Sequence, residues 1–185
     1  MTRLTAILST ALVLAVSATA QNWATNNPTT GNTPTTPRTS FGMAYNLLTQ
    51  RTVLYGGRTA ALGDQETWTF DGTTWVQQSP TTSPPALWGH VLVAAPNLGG
   101  VLLYGGRIGT TAQNQTWLWN GADGRQITTA TAPPARAFFQ MAFDTRRGVA
   151  VMHGGFGLIP IPASRHTWEF DGVDWREVVT PTLPP

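Results

Sequence analysis

The sequence predicts an all-β fold of stacked four-stranded sheets, and three observations carry that prediction. Glycine pairs recur at Gly56-Gly57, Gly105-Gly106 and Gly154-Gly155, 49 residues apart each time. Each pair follows a short apolar run and precedes a Thr-Trp step, at Thr67-Trp68, Thr116-Trp117 and Thr167-Trp168. The composition agrees. Of 185 residues 30 are Thr, 19 Gly and 14 Pro, and only 11% are charged, far below the ~25% of an ordinary soluble domain. This β-prone, turn-rich mixture argues against a helical bundle, a coiled coil or a charged disordered tail. Three copies in phase define a repeat, so the chain is read unit by unit.

Within the first copy the pattern predicts strands over 41–46, 52–56, 66–70 and 74–78. Four strands per copy leave about 12 residues for each strand and its turn, the spacing of repeated antiparallel sheets. Asp71-Gly72 and Asp171-Gly172 supply hairpin chemistry, and Asn97-Leu98-Gly99-Gly100 joins the first two strands of the second copy. A tryptophan closes the first and third units (Trp75, Trp175), while the second carries Gly124-Arg125 there. Pro-rich approaches precede the units at Pro37-Arg38, Pro84-Pro85-Ala86 and Pro133-Pro134-Ala135-Arg136, so the units span about 37–78, 84–127 and 133–179. The second strands, Val53-Leu54-Tyr55, Leu102-Leu103-Tyr104 and Val151-Met152-His153, are apolar on consecutive residues. Both of their faces should therefore be buried. Sheets buried on both sides and repeated along a chain stack as blades, which is the β-propeller arrangement.

Taken together, Pro-Pro-Ala-Arg, the strand Met141-Ala142-Phe143-Asp144, the apolar-Gly-Gly step, Thr-Trp-x-Phe-Asp-Gly and the closing Trp resemble the kelch repeat. The variety it is most similar to is that of exported bacterial proteins related to the galactose oxidase central domain. The likeness runs from about Pro37 to Val178. It implies strands running outward from a central channel, glycine pairs at the ends of the second strands, and Trp75 and Trp175 packing an outer strand on the neighbouring blade. The chain departs from the pattern at Phe41 and Phe139, where His is common; His90 keeps it. Kelch propellers have more than three blades, so the resemblance implies an incomplete or open propeller. Two readings stand: a piece of a larger propeller, or a homodimer assembling three blades with three. Neither terminal unit reads as having the polar outer face that caps a repeat array.

The first 20 residues read as a secretory signal: Arg3, then thirteen residues from Leu4 to Val16 that are mostly apolar, then Ala18-Thr19-Ala20. That run is shorter than the ~18 apolar residues of a membrane span, so the mature chain is expected to be exported with no span. Residues 21–36 read as a stray outer strand around Asn22-Trp23-Ala24 and a Thr/Pro-rich linker, leaving 37–185 for the blades. The closing Pro181-Thr182-Leu183-Pro184-Pro185 resembles a further linker.

Chemistry is sparse. All 11 basic residues are Arg and the net charge is +2, too little for a nucleic-acid partner. Without Cys there is no disulfide, no thiolate metal site and no Cys nucleophile. Nor can the Tyr–Cys cross-link of the galactose oxidase copper site form. His90, His153 and His166 lie 63 and 13 residues apart, without ligand spacing, so no metal or other cofactor is expected. No nucleophile elbow, phosphate loop or dinucleotide fingerprint appears, and the acids fall mostly at turns, so no catalytic residue is assigned. The loops after the glycine pairs vary between copies, at 58–65, 107–115 and 156–166. They are expected to share a rim with the Pro-rich linkers, and variable loops on a rigid scaffold carry binding. The candidate contacts are Arg58, Trp88, Arg107, Arg136, Ile159 and Ile161, toward a protein or glycan partner; Ile159 and Ile161 equally suit covering a blade edge. The chain is thus read as an exported kelch-type binding module. An incomplete carbohydrate-active oxidase, hydrolase or epimerase, and a purely structural surface protein, are the alternatives.

Overall fold

The computed structural model describes residues 33–34, 36–60, 63–157 and 165–179. The leader over 1–20, the stray strand at 22–24, Ile159, Ile161 and the 181–185 linker lie outside the described residues. The fold is all-β. Three four-stranded antiparallel sheets follow one another along the chain, each a simple meander. The first holds β1 (Gly42–Asn46), β2 (Arg51–Tyr55), β3 (Thr67–Phe70) and β4 (Trp75–Gln78). In the second, β5 (Val91–Ala95) and β6 (Gly100–Tyr104) precede a short ribbon of β7 (Arg107–Ile108) and β8 (Thr111–Ala112), then β9 (Thr116–Trp119) and β10 (Gly124–Ile127). The third is β11 (Gln140–Asp144), β12 (Val149–His153), β13 (Thr167–Phe170) and β14 (Trp175–Val178). One 3-10 turn, Pro96–Leu98, joins β5 to β6. Among the described residues no helix is long and apolar enough to cross a membrane.

Register explains why consecutive apolar residues suit the second strands. In β6, Val101 and Leu103 join Val53 and Tyr55 of the first sheet in one apolar cluster. Leu102 and Tyr104 join Ala150, Met152, Trp168, Phe170 and Trp175 of the third sheet in another. All five residues of β6 are buried, because the middle sheet is covered on both faces. The flanking sheets are not. Met43 and Tyr45 of the first sheet are exposed, whereas their counterparts Met141 and Phe143 pack into the cluster against the second sheet.

The repeat signature has a physical reason at each position. Tyr55 donates its hydroxyl proton to the Pro84 and Pro85 carbonyls at 2.6 and 2.8 Å, and Tyr104 does the same to Pro133 at 2.7 Å. Each second strand thereby fixes the Pro-rich approach to the next sheet. His153 takes the third place and meets Thr167 Oγ1 instead. Asp71, Asn120 and Asp171 accept two backbone N–H groups apiece through Oδ1 and close the outer hairpins. Those N–H groups hold the Asp71 and Asp171 carboxyls below their usual range. Asp123 and Asp174 reach across to the N–H groups of Thr82 and Thr131 and tie down the preceding linker.

The third sheet corrects one expectation. Its outer face is polar, because Glu169 receives both Arg147 and Arg176 at 2.5 and 2.8 Å. Glu169 stands where the middle sheet has Leu118 facing the third. A buried carboxylate there is tolerable only with cationic partners.

Candidate binding site at the rim

The glycine pairs build one end of the stack. Gly56 and Gly105 have φ of 59° and 63°, a left-handed conformation that glycine adopts without a Cβ penalty. A Cβ would also lie 2.5 Å from the Leu87 carbonyl oxygen at Gly56, and 2.6 Å from that of Arg136 at Gly105. The tight turn lets each sheet bond to the next. The Gly57 N–H donates to Leu87 O at 2.8 Å, and the Gly106 N–H to Arg136 O at 2.9 Å. Just beyond each pair the chain folds back on its own approach, pairing Thr39 with Arg58, Trp88 with Arg107, and Ala137 with Phe156.

These three rungs bring predicted residues together. The Arg58 guanidinium lies 5.2 Å from the centre of the Trp88 ring, and that of Arg107 lies 5.7 Å from it. Arg107 is equally close to the Phe156 ring. Phe138 meets Trp88 edge-on at 5.5 Å and stacks on Phe156 at 5.1 Å. The Trp88 Nε1–H donates to Gly109 O at 2.9 Å and an Arg107 Nη2–H to Gly157 O at 2.8 Å, so ring and cation are both locked. Trp88 and Arg107 are each only 8% exposed, Arg58 is exposed, and Phe138 is 41% exposed. Beside Phe138 opens a hollow of about 390 Å³ at the start of the first strands, lined by Ser40, Phe41, Gly89 and Gln140 among others.

Arg136 is not part of this rim. It is 3% exposed, and its guanidinium donates to Pro134 O and Gly154 O at 2.9 and 3.0 Å. Arg38 makes the matching bond to Gly56 O at 3.1 Å and also reaches Glu66, while Leu87 fills the same place in the second unit. All three stand one residue ahead of a rung, so their side chains turn inward. Phe138 and Phe156 were not among the sequence candidates. Phe156 occupies the position of Arg58 and Arg107, two residues past the start of its glycine pair, and that alignment was the available signal.

Among the described residues no group of three or more His, Asp or Glu side chains could hold a metal ion. His90 is buried beside Tyr55, and burial pushes its pKa down to about 4. His166 contacts the Glu177 carboxylate at the surface. Among the described residues the rim brings together cations and aromatic faces, an arrangement that can hold a ligand. Compared with protein-family models and with curated proteins, the chain matches none.

Proposed function

We propose that the chain is an exported kelch-type β-propeller module, three blades of an open or incomplete disc, whose glycine-pair rim binds a partner. The convergence of Arg58 and Arg107 on Trp88 is the observation that supports it most. Both guanidinium groups lie within cation–π distance of that ring with no carboxylate within 4.0 Å, and Trp and Arg are enriched among the residues that dominate binding surfaces. The repeated meander sheets, packed face to face and joined by the Gly57–Leu87 and Gly106–Arg136 backbone bonds, support the propeller reading. Rigid placement of variable loops is what a binding scaffold supplies.

Arg58 provides the test, because it is exposed and its removal should leave stability within ~0.5 kcal/mol. On a glycan and protein array the wild-type chain should retain a ligand, and Arg58→Ala should weaken that ligand about tenfold, the loss of roughly 1.4 kcal/mol. Equal retention by both proteins would mean that the rim is not the binding surface.

A further inference from the structure

We propose that residues 21–32 cross the outer face of the first sheet as a strap, with Trp23 seated over Leu54 and Trp68. The inference goes beyond the rim reading and does not depend on it. Met43, Leu54 and Trp68 are cross-strand neighbours, so they share the face turned away from the second sheet. No described sheet lies over that face. Leu54 and Trp68 are nevertheless only 5% and 3% exposed. The same tryptophan in the other units, Trp117 and Trp168, is 7% and 8% exposed, and there the preceding sheet covers it. Trp68 is thus as well covered as tryptophans that have a sheet against them.

The cover is narrower than a blade. At the other two interfaces it reaches the first strand, where Leu92 is buried and Met141 packs into its cluster. On the first sheet it stops short, and Met43 and Tyr45 stay about half exposed. A further blade, or a second copy docked face to face, would bury β1 along with β2 and β3. A single extended segment would not. Its source is this chain, because one chain alone reaches this burial. Residues 158–164 and 180–185 join the third sheet, on the far side of the second. Residues 61–62 join Gly63 and Asp64, which lie against Ala86 and Leu87 of the second unit. The stretch before Thr33 remains, and the described chain that follows it sits in the right place. Arg38 donates to Glu66 at 2.7 Å, and Glu66 accepts the Trp68 Nε1–H at 2.8 Å. The chain therefore reaches the face beside Trp68 itself.

Length and chemistry fit. Four strands about 4.8 Å apart make a face roughly 20 Å across, and twelve extended residues span up to ~40 Å. Residues 1–20 read as a leader, so the strap is assigned to the part that stays. Trp23 is the only large apolar side chain between 21 and 36, which suits a cover confined to one spot. Pro28 and its threonine neighbours Thr25, Thr29 and Thr30 favour extended backbone over helix. At the opposite end of the stack Arg147 and Arg176 cover Glu169. With the strap in place, three sheets form a stack closed at both ends.

The test is hydrogen exchange of the indole Nε1–H groups, followed by NMR, in the full chain and three variants of it. One variant replaces 21–32 by a Gly-Ser run of equal length, one replaces 4–16 in the same way, and one carries Trp23→Ala. The 21–32 replacement should speed exchange at Trp68 at least about tenfold and leave Trp117 and Trp168 unchanged. Trp23→Ala should act at the same indole to a smaller extent. If the 21–32 replacement speeds all three indoles, the sheets have come apart, and Trp23→Ala alone decides. Unchanged exchange at Trp68 in Trp23→Ala would overturn the proposal. Faster exchange from the 4–16 replacement instead would make the leader the cover. A wild-type dimer in sedimentation, whose dissociation on dilution exposes Trp68, would make the cover a second copy. Either result overturns the strap.

Discussion

Trp175→Ala should lower the unfolding free energy by about 3–5 kcal/mol, the range for truncating a large buried aromatic. Trp175 is 2% exposed, lies 4.8 Å from the Tyr104 ring and 5.1 Å from Phe170, and donates its Nε1–H to Thr116 Oγ1 at 2.9 Å. It is the side chain by which the third sheet grips the second. Trp175→Phe should keep the stacking and forfeit the hydrogen bond, at about 1–2 kcal/mol. Trp75 occupies the same position in the first sheet and stacks on Phe70 at 5.0 Å, but no described sheet lies beyond it. Its truncation should therefore cost less than half as much as that of Trp175. Urea unfolding of the three variants measures the ordering, and equal losses at Trp75 and Trp175 would contradict the packing described.

Between pH 6.5 and pH 4 the protein should lose about 3 kcal/mol of stability through His90 alone, since each unit of pKa shift is worth 1.36 kcal/mol. The ordinary imidazole value is 6.5, and burial lowers that of folded His90 to about 4. Below pH 6.5 the unfolded chain takes up a proton that the folded chain refuses until about pH 4, so unfolding is favoured as pH falls. The carboxylates act lower. Hydrogen bonds from Trp68 and Arg38 depress Glu66, and those from Arg147 depress Asp144, so their stabilisation is lost only as pH drops below the usual carboxylate range. His90→Phe should flatten the window, because Phe139 fills the equivalent slot in the third unit. Phe139 meets Tyr104 edge-on at 5.7 Å, as His90 meets Tyr55 at 5.5 Å. A variant that keeps the wild-type slope would assign the effect elsewhere.

The strands were legible in the sequence to within a residue at each end in the first unit, because turn residues bracket them. Asp71-Gly72 places the β3–β4 hairpin whatever the packing, and the Thr-Trp step marks β3 in every copy. What Gly124 does was not legible. The sequence shows glycine where the flanking units have tryptophan, but not that the Thr82 carbonyl moves in to accept its N–H at 2.9 Å. A cavity of about 30 Å³ remains there, lined by Tyr55, Thr67 and Trp119 among others, where Trp175 would have its counterpart. At the rim, the spacing from the glycine pairs was enough to find Arg58 and Arg107. Arg136 was misplaced because inward or outward direction depends on the rung register, and a one-residue offset reverses it. The polar outer face of the third sheet was missed for a related reason. Glu169 and Arg176 are cross-strand partners, and Arg147 reaches Glu169 from the β11–β12 turn, a pairing that register sets and linear order hides.

The chain has eight tryptophans; of the described ones, the indole Nε1–H of Trp88 reports on the rim and those of Trp117, Trp168 and Trp175 on the sheet interfaces. Following them by NMR during titration with the ligand retained on the array tests most directly whether the rim is where this protein meets its ligand. Trp88 should shift first and furthest while Trp117, Trp168 and Trp175 stay in place. A titration that moves the interface tryptophans and leaves Trp88 unchanged would contradict a rim site.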